Sequence, residues 1–202
     1  MKTILDFEAS SFSGYPVEVG WCAADLSSGG SALIKRCPDW GERDWSYSAE
    51  KLHGITVERL EADGLPADEV VALLNQDIGT GEVISDNPEY EIAWLATLAH
   101  GAGIKPTFQF DHRTLEKHLF AAYAKAKASP SWVSPLLLPL TIRQIGLVHH
   151  RALDDAILNA LKFVMLEVAV AGDRHGEQVA EALRQERIQS AQALLAAHGR
   201  RP

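Results

Sequence analysis

Several protein classes need residues of which this sequence has few. Cysteine occurs twice in 202 residues, at Cys22 and Cys37, too rarely for a disulfide framework or a self-contained zinc site. The first eight residues include acids where a secretory signal needs an apolar run. The longest apolar stretch, residues 156–171, is interrupted by Asn159, Lys162 and Glu167 and falls short of the ~20 apolar residues of a membrane span. We therefore expect a soluble, cytoplasmic protein with reduced thiols.

Positive charge is also scarce, with 19 Lys and Arg against 27 Asp and Glu and a net charge of −8. This excludes a protein that coats nucleic acid by bulk charge. The charge is uneven, however, because residues 100–151 hold seven Lys or Arg and two acids. That segment carries +5, which leaves −13 for the remainder. A basic face beside an acidic site would suit a strand of nucleic acid, and a solvated helix surface is the alternative interpretation.

The chain length and its 47% hydrophobic residues suit one compact domain with a small appendage. The apolar periodicity predicts strands at 3–7, 17–24, 32–36, 82–85 and 107–110, and helices at 48–53, 66–78, 88–100, 111–127, 152–171 and 176–198. A Pro/Ser-rich loop is expected at 129–139 and a helix break at 172–175. This order predicts an α/β fold, with helices flanking a mixed sheet over 1–171 and a C-terminal helical extension over 172–202. The last helix either packs on the domain or mediates self-association as a homodimer.

The first predicted strand carries two acids, Asp6 and Glu8. Residues two apart on a strand point to the same face, so both carboxylates project together while Leu5 and Phe7 point into the core. Neighbouring carboxylates repel each other unless a cation lies between them, and oxygen-rich sites of this kind hold Mg²⁺ or Mn²⁺. An exposed polar face is the alternative interpretation of this pattern alone.

Two histidines precede the helix predicted at 152, and two aspartates lie one turn inside it. His149 with Asp154 and His150 with Asp155 have the same spacing. A histidine and a carboxylate so placed meet at the mouth of the helix, where they can serve as general base and metal ligand. Helical periodicity alone slightly favours Asp154, which shares a face with apolar residues of the helix.

Together and in this order, these segments resemble the DEDDh 3′–5′ exonucleases. The resemblance lies in Asp6-Phe7-Glu8 on the first strand, an acidic helix start near 87–95, and His150-x-Ala-Leu-x-Asp155-Ala near the end. The strand at 15–21 and the turn at 53–56 are also similar to that family. The resemblance covers about residues 1–170 and implies an RNase H-like fold. It also selects His150 and Asp155 over the neighbouring pair, because only that register places the alanines and leucine correctly.

The family implies a phosphodiesterase with two metal ions, Mg²⁺ or Mn²⁺. By resemblance, Asp6 would bridge both ions, Glu8 and Asp155 would hold one of them, and His150 would take a proton from the attacking water. Residues that follow Glu8 would bind the terminal nucleotide through backbone groups (Ala9, Ser10, Ser11) or by stacking on a base (Phe12, Tyr15). Packing within the loop is the alternative interpretation of Phe12 and Tyr15. His53 would either touch that nucleotide or cap a helical turn that Gly54 ends.

The middle motif departs from the family pattern. The position that aligns with the family aspartate holds Glu91, and the nearest aspartate is Asp86. Asn87 and Pro88 are typical of an N-cap and a first helical residue, which places Glu91 one turn inside the helix on its buried stripe. We favour Glu91 as the metal ligand and leave Asp86 as the alternative. The longer side chain predicts a looser site and a preference for Mn²⁺.

The sequence thus predicts a 3′–5′ exonuclease that removes nucleoside monophosphates from 3′ ends of single-stranded RNA or DNA. The alternative is a catalytically weakened nucleic-acid-binding or adapter module with the same fold. An RNase H-like endonuclease would lack the histidine before the last helix of the domain.

Overall fold

The computed structural model describes residues 2–41, 44–127 and 137–199, and its centre is a five-stranded sheet. The strands are β1 (Lys2–Ala9), β2 (Pro16–Ala23), β3 (Gly29–Leu33), β4 (Glu82–Ile84) and β5 (Gln109–Phe110). Their spatial order is β3-β2-β1-β4-β5, with β1 antiparallel to β2 and parallel to β4. The predicted α/β class with a mixed sheet is therefore confirmed.

Helices flank this sheet on both faces. They are α1 (Tyr47–His53), α2 (Val57–Asp63), α3 (Ala67–Ile78), α4 (Pro88–Ala102), α5 (Leu115–Ala126), α6 (Leu137–Ile145), α7 (Ala152–His175) and α8 (Glu177–Ala197). None of the helices in the described part of the chain combines the length and apolar character needed to cross a membrane.

The alternation of β1 divides the apolar side chains between two cores. Leu5 and Phe7 pack on one face of the sheet in a core that includes Val70 of α3. Ile4 packs on the other face in a core that includes Ile157 of α7. Asp6 and Glu8 alternate with Leu5 and Phe7, so β1 presents both acids on the face that α7 covers.

The helix break predicted at 172–175 is wrong, because α7 continues through Gly172 to His175 and is capped by Gly176. A glycine inside a helix costs only about 1 kcal/mol relative to alanine, and packing of α8 along α7 offsets that cost. Ile188 and Leu195 of α8 join the same core as Ile157. The last helix thus packs on the preceding elements. The domain boundary at residue 171 and self-association stay predictions.

The third strand lies earlier than predicted, at Gly29–Leu33 instead of 32–36. The strand includes two glycines, because Gly29 pairs with Cys22 and Gly30 with Trp21 in the sheet.

Two helix starts also differ from the predictions. Helix α2 was not predicted, although Thr56 caps it by accepting a hydrogen bond from the Arg59 amide at 3.2 Å. Helix α5 begins at Leu115 and not at 111, because the Asp111 carboxylate accepts the Arg113 amide and forms a turn there. The loop predicted at 129–139 lies largely outside the described residues.

Candidate active site

The floor of the candidate site is the end of β1. Asp6 lies opposite Gly20 of β2, and Glu8 lies opposite Glu18. The register of the two strands shifts between Glu8 and Ala9, an irregularity of the kind that often re-aims side chains beside active sites. Glu8 is 9% exposed and Asp6 is half-buried, so two carboxylates share a poorly solvated position.

The second wall is the start of α4. Because β4 is parallel to β1, their carboxyl ends lie at the same edge of the sheet, and the chain after β4 passes next to Asp6. Asn87 is the N-cap and Pro88 the first residue of α4, as predicted. Glu91 follows in the first turn and is 3% exposed, which confirms its predicted burial. Carboxylate oxygens of Asp6, Asp86 and Glu91 lie within 4.8 Å of one another.

The third wall is the start of α7. Ligand atoms of Glu8, His150 and Asp155 lie within 4.8 Å of one another. The Asp155 carboxylate accepts the His150 amide at 2.8 Å, which fixes a backbone that has positive φ (61°) at His150. Asp154 instead is 2% exposed and accepts the Val148 amide at 2.8 Å. The structure therefore places Asp155 beside Glu8 and uses Asp154 to brace the preceding loop.

His149 and His150 differ in their relation to this wall. The Nδ1 atom of His149 lies 3.6 Å from Asp155 Oδ1, but its side chain is 68% exposed. His150 lines a cleft whose walls also include Asp6, Glu8 and Asp155, whereas His149 does not line this cleft.

Helix α7 is held against β2 by one buried ion pair and one close approach. The Glu18 carboxylate, 2% exposed, accepts hydrogen bonds from Arg151 Nε at 3.0 Å and from the Ala152 amide at 3.1 Å. A Cβ atom at Gly20 would lie 2.1 Å from the Leu153 amide nitrogen. The first turn of α7 thus rests on the backbone of β2, and this contact sets the position of the preceding His150.

Burial and mutual repulsion raise the pKa values of the four acids nearest the floor. The pKa of Asp6 lies well above its ordinary value because of burial, and Glu91 and Asp155 raise it further. Burial, with Asp155 and Glu18 nearby, raises the pKa of Glu8 to about 8. The pKa of Glu91 is raised by burial and then by Asp86. The pKa of Asp155 is raised mainly by burial.

A third acidic cluster in this protein is neutralised by basic side chains. Glu82, Asp111 and His118 also lie within 4.8 Å of one another. There Lys2 contacts Glu82, and Arg113 binds Asp111 at 2.6 Å. Lys2 and Arg113 therefore neutralise that cluster.

The acids of the candidate site have no such counterions. Among the described residues, no Lys or Arg forms an ion pair with Asp6, Glu8, Asp86 or Glu91. One buried oxygen, Glu91 Oε2, has no hydrogen-bond partner there. Unpaired buried carboxylates are costly unless a cation compensates them. The donor set is all oxygen apart from the histidine, which fits hard divalent cations such as Mg²⁺ or Mn²⁺.

Two adjoining clefts open over these acids. The acidic cleft, of about 340 Å³, is lined by Asp6, Phe7, Glu8, Phe12, Asp86, Asn87, Tyr90, Glu91, Trp94, His150, Asp155, Leu158, Asn159 and Lys162. The apolar cleft, of about 350 Å³, is lined by Phe7, Glu8, Ala9, Ser11, Phe12, Ser46, Ser48, Ala49, Leu52, His53 and Trp94. Both volumes suit small-ligand sites. Larger grooves beside α8 and α5 contain none of the acidic clusters.

The residues predicted to bind a nucleotide divide into two groups. Ala9, Ser11, Phe12 and His53 line the apolar cleft, and the ring of Phe12 is 81% exposed. Tyr15 does not line either cleft. It is 2% exposed and stacks on Trp40 with ring centroids 5.0 Å apart, so it belongs to the core.

Ser10 is also outside both clefts, because it closes the β1–β2 connection. It is 1% exposed, and its hydroxyl accepts the Tyr15 amide at 3.0 Å.

His53 both lines the apolar cleft and ends a helical turn, which are the two alternatives that the sequence left open. It lies in the last turn of α1, which Gly54 ends with a φ of 67°, and its Nδ1 atom accepts the Ile55 amide at 3.0 Å. That bond leaves the proton on Nε2, which is buried without a hydrogen-bond partner among the described residues. Burial also lowers the pKa of His53, which favours the neutral ring.

Sequence reasoning missed several residues of the clefts. Trp94 lines both clefts, and Tyr90 lies against it with ring centroids 5.7 Å apart. Asn159 and Lys162 line the acidic cleft. They stand four and seven residues after Asp155, and this helical spacing was the signal that could have found them.

The basic segment predicted at 100–151 contributes less free charge than its composition indicates. Arg113 pairs with Asp111, and Arg151 pairs with Glu18.

No protein-family model and no curated protein matches the sequence. The fold does match solved structures. A zinc-bound complex of E. coli exonuclease I with single-stranded DNA has a TM-score of 0.54 and 14% identity, over 86% of this chain and 40% of that chain. E. coli exonuclease I in complex with a 5cy-dT13 oligonucleotide has a TM-score of 0.54 and 12% identity, over 92% of this chain and 42% of that chain.

A moderately thermophilic exonuclease I from Methylocaldum szegediense gives a TM-score of 0.53 and 13% identity, over 92% of this chain and 42% of that chain. This chain thus spans about two fifths of the length of these structures. At such identities the likeness shows the fold, and the predicted RNase H-like α/β fold is confirmed.

Proposed function

We propose that this protein is a metal-dependent 3′–5′ exonuclease that releases nucleoside monophosphates from the 3′ end of single-stranded nucleic acid. The observation that carries the proposal is a pair of ligand groups built on Asp6 and Glu8 of β1. Asp6 lies with Asp86 and Glu91, and Glu8 lies with Asp155 and with His150 at the mouth of α7. The exonuclease I structures that share the fold are described as complexes with single-stranded DNA and with an oligonucleotide. They support nucleic acid as the substrate class, and DNA is the first substrate to test.

Two divalent cations, Mg²⁺ or Mn²⁺, are the proposed cofactors. Asp6 would contribute to both ions, Glu8 and Asp155 to one, and Glu91 to the other, with Asp86 as a further acid beside it. When bound, such ions lower the pKa of the attacking water and stabilise the leaving oxygen of an in-line displacement. The extra methylene of Glu91 supports a tolerance for Mn²⁺, whose geometry is less strict than that of Mg²⁺.

His150 is the proposed general base. It lies on the rim of the acidic cleft, where a neutral imidazole nitrogen can accept the proton of the attacking water. The hydrogen bond from its own amide to Asp155 couples the position of the base to an acid of the site.

The apolar cleft is the proposed site of the terminal nucleoside. Phe12 and Trp94 offer aromatic faces to a base, a contact worth about 1–3 kcal/mol per stacked base. The buried Nε2–H group of His53 has no partner among the described residues and is suited to donate a hydrogen bond to a hydroxyl of that nucleoside.

The test uses matched DNA and RNA oligonucleotides with a 5′ label, in the presence of Mg²⁺, Mn²⁺ or EDTA. We expect products shortened stepwise from the 3′ end, release of nucleoside 5′-monophosphates, and no reaction in EDTA. A circular single-stranded DNA should resist the enzyme. Cleavage of the circle would indicate an endonuclease, and binding without cleavage would favour the alternative of a weakened binding module.

The chain offers a matched control for the acid on α4. Glu89 and Glu91 lie in the same helical turn, but Glu89 is exposed and Glu91 is buried beside Asp6. Glu91→Gln should lower turnover and Mn²⁺ affinity, whereas Glu89→Gln should leave both unchanged. Equal effects of the two substitutions would contradict the assignment of Glu91.

A further inference from the structure

One lysine lines the acidic cleft outside the machinery described above. Lys162 stands on α7 seven residues after Asp155, about 10 Å further along the helix. Helical side chains lean back toward the N-terminus, and the Lys162 ammonium donates to Asn159 Oδ1 at 2.7 Å. The charge is thereby held roughly one helical turn beyond Asp155.

The Lys162 ammonium is unusual because acids surround the cleft and none neutralises it. Among the described residues, no carboxylate lies within 4 Å of its nitrogen, whereas Lys2, Arg113, Arg151 and Arg184 all have ion pairs. Its partner Asn159 is neutral and 3% exposed, so a buried amide orients the ammonium without cancelling its charge. A half-buried cation of this kind is available to bind an anion that enters the cleft.

The arrangement of the two clefts indicates which anion this is. They share Phe7, Glu8, Phe12 and Trp94, whereas Lys162 and Asn159 line the acidic cleft alone. With the terminal nucleoside in the apolar cleft and the scissile phosphate at the acids, the rest of the strand must leave through the acidic cleft. Its next phosphate then passes the wall that Lys162 contributes.

We propose that Lys162 is the phosphate-binding residue of a second subsite, which holds the phosphate on the 5′ side of the penultimate nucleotide. This inference rests on the proposed function, because it takes the direction of the strand from it. Lys162 would act as a specificity-determining residue, since only substrates that carry this phosphate gain the contact.

The test compares two dinucleotides that differ in that phosphate alone, thymidylyl-thymidine with and without a 5′-phosphate. We measure the initial rate at which each intact dinucleotide is consumed in Mn²⁺, because cleavage yields two thymidine 5′-monophosphates from the phosphorylated substrate and one from the other. The wild-type protein should prefer the phosphorylated dinucleotide by about 5- to 20-fold in kcat/KM. Lys162→Gln should reduce this ratio to about 1–2, and Lys162→Arg should retain most of it.

Lys125→Gln is the charge-matched control, because Lys125 is exposed and lines neither of the two clefts. It should leave the ratio at the wild-type value. A ratio in Lys162→Gln equal to that of the wild type would overturn the proposal, as would an equal fall in Lys125→Gln.

A binding measurement separates failure of this inference from failure of the proposed function. If the wild-type protein cleaves neither dinucleotide, binding of a fluorescent single-stranded oligonucleotide is measured at several salt concentrations. The slope of log affinity against log salt should then fall by about 0.7 in Lys162→Gln, as expected for loss of one phosphate contact. An unchanged slope and affinity would overturn the phosphate contact itself.

Discussion

Replacing Glu8 with glutamine should stabilise the protein when no metal is bound. Burial and neighbouring acids raise the pKa of Glu8 to about 8, against 4.5 for the free side chain. Because the pKa of Glu8 is higher in the folded than in the unfolded protein, the protonated Glu8 does not lower the free energy of unfolding below pH 4.5. The free energy of unfolding then falls as the pH rises toward 8. Glutamine has a similar shape and does not titrate, so Glu8→Gln should not show this loss.

The size of the effect follows from the pKa difference, since each unit corresponds to about 1.4 kcal/mol. Linkage then gives about 1 kcal/mol of relative stabilisation at pH 5 and about 3 kcal/mol at pH 7 for Glu8→Gln. Divalent cations should reverse the order of stability. At one thousand times its dissociation constant, a bound ion stabilises the wild-type protein by about 4.1 kcal/mol. This exceeds the advantage of about 3 kcal/mol that the variant has at pH 7 without metal, and the variant should gain much less from the ion.

The assay is urea unfolding followed by tryptophan fluorescence, in EDTA at pH 5, 6, 7 and 8 and then in Mn²⁺. Glu18 provides the matched control, because it lies opposite Glu8 on β2 and is also buried but is paired with Arg151. Glu18→Gln should destabilise the protein by about 3 kcal/mol or more, because it leaves Arg151 without its partner. A Glu8→Gln variant that is less stable than the wild type in EDTA at every pH would refute the reasoning.

Three further predictions concern the same site. His150→Ala should lower turnover by about 10²–10⁴-fold, the usual contribution of a general base, and His149→Ala should have a much milder effect in the same steady-state assay; the reverse ranking would mean that His149 is the base. Glu91→Gln should weaken Mn²⁺ binding, measured by calorimetry, more than Asp86→Asn does, and loss of activity only in Asp86→Asn would reassign the ligand. Gly20→Ala should lower the thermal midpoint sharply or prevent folding, since its Cβ would lie 2.1 Å from the backbone of α7; a circular dichroism melt like that of the wild type would show that α7 can shift without cost.

The sequence predicted those parts of the site that depend on local periodicity. Asp6 and Glu8 share a face because a strand alternates, and Glu91 is buried because it lies on the apolar stripe of α4. The parallel pairing of β1 and β4 then brings these acids together. The same local logic could have found Lys162, which repeats the helical position of Asp155 two turns later.

Local periodicity does not determine which side chains enter the cleft where contacts distant in sequence decide. For the aspartates of α7, periodicity slightly favoured Asp154 over Asp155. Asp154 does lie on the buried face, but its carboxylate accepts a hydrogen bond from the Val148 amide. The carboxylate that lies beside Glu8 is that of Asp155. Of the two interpretations of Tyr15, packing is the one the fold selects, because Trp40 stacks on its ring and buries it.

The role of β2 in positioning α7 depends on contacts that are distant in sequence. Composition assigned Arg151 to a basic face for nucleic acid, yet its guanidinium is paired with Glu18, 133 residues away. Glu18 also accepts the first amide of α7, and Gly20, on the same face of β2, leaves room for the helix backbone. Two residues of β2 that touch neither cleft therefore determine where α7 begins, and with it the positions of His150 and Asp155. A charge count cannot distinguish such a cation from a free one, because the difference lies in a carboxylate on a distant strand.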